Sequence, residues 1–134
     1  MSATILIVDD EPLLRSSLSR ALTDEGYTVL TAADGLEALL LLQRSPVDLL
    51  VCDVVMPLVD GLDLVDELRE RGNLTPVLLM SVLECPPCHH PAVRCLDKPF
   101  ELDAMSTAVR ELLAPPPQAR VVAKRFDTLG GYPR

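Results

Sequence analysis

Two rhythms of apolar and polar residues alternate along this chain. One is a short, nearly unbroken apolar run, found at Thr4–Val8, Tyr27–Thr31, Asp48–Cys52, Pro76–Met80 and Val93–Leu96. Runs of that length, rich in branched aliphatic residues, predict β-strands. The third is continuously apolar after its first residue, as a strand covered on both faces should be. The other rhythm is helical. Leu14, Leu18, Ala21 and Leu22 recur on one face of a segment that begins near Pro12 and stops at Gly26. Further helices are predicted over Gly35–Arg44, ending before Pro46, over Gly61–Arg71, and over Leu102–Leu113, ended by Pro115, Pro116 and Pro117. Strands alternating with helices give βαβ units, hence an α/β domain around a doubly wound, five-stranded parallel sheet.

With 134 residues, 49% of them apolar, the chain has material for one well-cored domain. That domain is expected over 1–113, followed by a proline-rich basic tail or linker over 114–134. The net charge of −8 divides unevenly, about −11 on the body and +3 on the tail. An acidic body argues against direct nucleic-acid binding and favours cations or basic partners. No apolar run reaches the length of a membrane span, and MSATILIVDD lacks the basic start and cleavage site of a secretory signal. A soluble, cytoplasmic protein is expected, with Cys52, Cys85, Cys88 and Cys95 reduced.

Three of the strands stop at a charge: ILIVDDEP (5–12), LLVCDVVMP (49–57) and CLDKPF (95–100). Asp9, Asp10, Asp53 and Lys98 should therefore cluster at the carboxyl edge of the sheet, where open α/β sheets bind ligands. Three carboxylates packed together resist ionising unless a cation sits among them, and hard oxygen ligands suit magnesium. Asp9 and Asp10 would hold Mg2+, with coordination places left for Asp53 and a backbone carbonyl. Asp53 is placed to act as a nucleophile toward phosphorus. Lys98 would neutralise phosphoryl charge, and Ser81, after the fourth apolar run, could donate a hydrogen bond to a phosphoryl oxygen. Taken singly, Asp9 or Asp10 could cap a helix, and Asp53 could be a turn residue. An α/β phosphatase with an aspartyl nucleophile would want a second acid two residues on, and that position is Val55.

These features occur together in an order that resembles the response-regulator receiver domain, the CheY-like family of two-component signalling. The likeness rests on the acidic pair Asp9 and Asp10, Asp-x-x-Met-Pro-x-x-x-Gly from Asp53 to Gly61, Ser81, and Lys98–Phe100, and covers about residues 3–113. It implies a flavodoxin-like sheet order 2-1-3-4-5. It also implies phosphotransfer to Asp53 from a histidine kinase or phosphotransfer protein, the Val55 carbonyl as a further magnesium ligand, and signalling to a downstream protein. The chain would then be a switch rather than an enzyme.

Two features depart from that family. Only sixteen residues, VLECPPCHHPAVRCLD, separate Ser81 from Lys98. Pro86, Pro87 and Pro91 leave no room for a full fourth helix, so it should be truncated or absent. The position three before the lysine, usually aromatic in the family, is Cys95. The 82–92 segment itself is therefore expected to move on activation. It contains Cys85, Cys88, His89 and His90, whose spacing suits zinc or redox chemistry. A receiver-fold interaction module triggered there is the alternative reading.

Overall fold

The computed structural model describes residues 2–82, His90 and residues 92–114. Within them the chain runs β1 (Thr4–Val8), α1 (Pro12–Asp24), β2 (Thr28–Ala32), α2 (Gly35–Arg44), β3 (Leu49–Asp53), α3 (Gly61–Glu70), β4 (Val77–Ser81), β5 (Val93–Asp97) and α4 (Leu102–Leu113). The five strands form one sheet in the order β2-β1-β3-β4-β5, with every pairing parallel. Most of the expected strands shift by one residue, because pairing rather than hydropathy sets their ends. Asp53, for example, remains in β3 opposite Met80.

Alternation along the strands divides the core in two. Ile5, Ile7, Leu49, Val51, Leu78 and Met80 face Leu18 and Leu22 of α1 and Met105, Ala108 and Val109 of α4. Leu6, Val8, Leu50, Cys52, Val77 and Leu79 face Ala38 of α2 and Leu64, Val65 and Leu68 of α3. Cys52 is fully buried, as a small apolar residue would be.

Local chemistry fixes where the helices begin. Asp34 caps α2 by accepting from the Glu37 N–H at 2.8 Å, and Asp60 caps α3 by accepting from the Asp63 N–H at 2.8 Å. Helix α1 starts with Pro12 after Glu11, so neither Asp9 nor Asp10 serves as its cap. Among the described residues there are four helices, and β4 is followed in the sheet directly by β5.

Two residues other than glycine take left-handed backbone among those described, Leu58 and Ala92. Leu58, in the β3–α3 loop, has φ +73° and is 76% exposed. Such backbone costs a residue with a Cβ about 1–2 kcal/mol. Leu58→Gly relieves that strain and adds unfolded-state entropy, for a net gain of roughly 0.5 kcal/mol. Urea denaturation should show a higher midpoint with an unchanged slope.

Candidate functional site

Strand register brings the expected residues together. Val8 lies opposite Cys52, so Asp9 and Asp53 are level at the carboxyl edge of β1 and β3. Ser81 pairs with Asp97 at the end of β4 and β5, which puts Lys98 one residue further on. The Lys98 N–H donates to the Ser81 carbonyl at 2.6 Å. Its ammonium reaches back between the acids, 3.0 Å from Asp53 Oδ2 and 3.3 Å from Asp9 Oδ2. Asp9 is fully buried, while the Asp53 and Lys98 side chains are only slightly exposed.

Asp9, Asp10 and Asp53 each offer an oxygen, and those oxygens lie within 4.8 Å of one another. This all-oxygen donor set, part buried and part open to solvent at Asp10, fits magnesium. The Val55 N–H lies 3.3 Å from Asp53 Oδ1 and orients that carboxylate. Ser81 is buried beside Lys98, and Val55 is exposed.

Burial pushes the Asp9 carboxyl above its ordinary value. The Glu11 N–H and the Lys98 charge oppose that shift, and the Asp53 charge adds to it. Burial pulls the Lys98 ammonium down, but its hydrogen bond to Asp53 and the charges of Asp9 and Asp53 outweigh it, leaving Lys98 raised. The pocket thus retains a cation even without metal. Burial, with nearby Asp53, also pushes the Cys52 thiol far up, so it is inert.

Because the folded protein holds the Asp9 proton more tightly than the unfolded chain does, Asp9 costs stability as pH rises above 3.8. The cost is complete once pH passes the raised folded value. Asp9→Asn should therefore melt higher than the wild type at neutral pH without magnesium, with the advantage vanishing below pH 3.8. Melting curves across that range check it, and equal melting temperatures at neutral pH would contradict it.

Of the Cys/His group, Cys85, Cys88 and His89 lie outside the described residues, as does most of the 82–92 segment expected to move. His90 Nε2 lies 2.6 Å from Asp66 Oδ1 of α3. The expectation that all four cysteines are reduced is corrected at Cys95, which is disulfide-bonded, whereas Cys52 is free. That expectation was argued from compartment, which says nothing about which thiols a fold brings within bonding reach. Sequence reasoning also missed Arg15, whose Nη1 donates to the Asp9 carbonyl at 2.7 Å. A cation one turn into the helix that follows an acidic pair was the available signal.

A doubly wound parallel sheet with a lysine-bridged carboxylate cluster at the carboxyl edge of its strands defines the class of α/β domains that bind ligands at that edge. The chain belongs to the response regulator receiver domain family, whose model matches residues 5–110. It is 36% identical over 137 residues to response regulator MprA of Mycobacterium bovis, covering 96% of this chain and 60% of that protein. The chain thus spans about three fifths of the length of that curated relative. Among solved structures, the chemotaxis protein CheY4 of Vibrio cholerae matches with a TM-score of 0.78 and 32% identity, over 84% of this chain and all of that one. TrrA of Thermotoga maritima, in complex with Mg2+ and BeF, matches with a TM-score of 0.73 and 31% identity, over 83% of this chain and 99% of that one. No helix among the described residues is long and apolar enough to cross a membrane.

Proposed function

We propose that the chain is a phosphoacceptor switch of a two-component phosphorelay, taking a phosphoryl group onto Asp53 from the phosphohistidine of a histidine kinase or phosphotransfer protein. The observation that carries this reading is Lys98 standing between Asp9 and Asp53, 3.3 and 3.0 Å away, beside the three-carboxylate cluster. Asp53 attacks phosphorus as the P–N bond breaks, and the electron pair leaves on the imidazole nitrogen. Lys98 follows the charge onto the phosphoryl oxygens, and the Ser81 hydroxyl donates to one of them. Asp9, Asp10, Asp53 and the Val55 carbonyl would hold Mg2+, which when bound neutralises phosphoryl charge. TrrA, crystallised in complex with Mg2+ and BeF, supports the cofactor.

In this reading residues 1–113 act as the receiver and 114–134 as a tail or linker, in a cytoplasmic setting with a downstream protein as recipient. The chemistry is confined to gaining and losing one phosphoryl group. Incubation with magnesium and acetyl phosphate, followed by intact mass spectrometry and peptide mapping, tests it. Modification mapped to Asp53 supports the assignment, and no modification, or modification elsewhere, overturns it.

The lifetime of the acyl phosphate follows from its neighbours. Val55, two residues beyond Asp53, is 60% exposed and apolar, and the residue two beyond Ser81 is Leu83. Neither can orient a water for attack on phosphorus. Hydrolysis should therefore be slow, and Val55→Gln or Val55→Asn should change it more than a surface substitution does. A half-life of seconds in the purified wild type, without any phosphatase, would contradict this.

A further inference from the structure

The phosphoryl chemistry makes no use of Arg15, yet the residue grips the site at a telling place. Its Nη1 donates to the Asp9 backbone carbonyl at 2.7 Å. That carbonyl belongs to the peptide unit joining Asp9 to Asp10, two of the clustered carboxylates. A peptide unit is planar, so holding its oxygen also fixes the nitrogen and Cα of Asp10. Asp9 is engaged from every side, each time by a different group. Its N–H donates to the Ala32 carbonyl at 3.2 Å, Oδ1 accepts from the Glu11 N–H at 2.8 Å, and Oδ2 accepts from Lys98 at 3.3 Å. Arg15 completes the set at the carbonyl, in a residue that is fully buried. Asp10, by contrast, is exposed, so its carboxylate depends on the backbone beneath it for its place.

We propose that Arg15 is a positioning residue of the metal site: by holding the Asp9–Asp10 peptide unit, it sets where the Asp10 carboxylate stands relative to Asp9 and Asp53. The proposal rests on Asp9, Asp10 and Asp53 being magnesium ligands. Its sign is distinctive. Arg15 brings positive charge toward a cation site, so charge alone predicts that removing it tightens magnesium binding. Positioning predicts the reverse.

The test is calorimetric titration of Mg2+ into the unphosphorylated full chain, comparing the wild type with Arg15→Met, Arg15→Gln and Arg15→Lys. Met keeps the packing of the aliphatic stem but supplies no donor. Gln is a second neutral variant in case Met does not fold. Both should weaken magnesium about tenfold or more, the scale seen when a group orienting a metal ligand is lost. Lys, which keeps a donor and the charge, should recover most of that loss. Unchanged or tighter binding in the neutral variants, even with a lowered melting temperature, overturns the proposal. Asp10→Asn separates the two levels of inference: if the wild type binds no magnesium, or this variant binds it equally well, the ligand assignment itself has failed.

Discussion

Asp53→Asn is expected to abolish phosphoryl acceptance, lowering the rate with acetyl phosphate by roughly three orders of magnitude or more, because an amide oxygen is a poor nucleophile. The substitution preserves volume and an acceptor for the Val55 N–H, so the fold should persist. Lys98 would then pair with Asp9 alone, where it now bridges two acids. Intact mass and circular dichroism of the same sample distinguish lost chemistry from lost structure. A variant that still acquires one phosphoryl group at the wild-type rate would remove Asp53 from its role.

Gly61→Ala is expected to cost about 2–3 kcal/mol, equivalent to roughly 10 °C in melting temperature, and to slow phosphorylation as well. A Cβ on Gly61 would sit 2.5 Å from the Asp53 carbonyl oxygen and 3.0 Å from Val54 Cα. Both atoms are backbone, so no side chain can swing aside. The Gly61 N–H also donates to the Val54 carbonyl at 2.8 Å, and the clash would strain that bond. Asp53 itself must move, which is why stability and chemistry should fall together. Gly26 is the control: its φ is +100° with nothing within 4 Å, so Gly26→Ala adds only backbone strain of about 1–2 kcal/mol and should leave phosphorylation unchanged. Wild-type melting by Gly61→Ala would mean the loop accommodates a methyl group that the geometry gives no room for.

The charged residues at strand ends were readable because parallel pairing brings all carboxyl ends to one edge. Asp9, Asp53 and Lys98 needed only that rule to be placed together, although they lie far apart in sequence. The helices Gly35–Arg44 and Leu102–Leu113 were equally plain, since Pro46 and Pro115 mark where each must stop. Other features depend on distances that no local pattern encodes. Arg15 left a hint in its spacing after the acidic pair, but that its Nη1 meets the Asp9 carbonyl depends on the angle at which α1 leaves β1. The Ser106 hydroxyl donates to Glu25, and Arg110 donates to Ser106, which ties α4 to the end of α1 through residues that read in the sequence as ordinary solvent-facing positions. The Cys95 bond is likewise a matter of spatial approach rather than composition.

Helix α4 returns against the direction of the strands, and its final residues, Leu112 and Leu113, share a cavity with Ser2, Ala3, Asp48 and Pro76. All four of those residues lie just before a strand begins, whereas Asp53 closes the opposite end of β3, a strand of about 13 Å. Anything joined after residue 114 therefore leaves from the far shore of the domain. A phosphoryl group at Asp53 would sit at the other end of the strands from residue 114, so a change felt at that residue would have to cross the two packed layers flanking the sheet. Fidelity of transmission then becomes a question of stiffness: a softened core would muffle the message even with every charged residue intact.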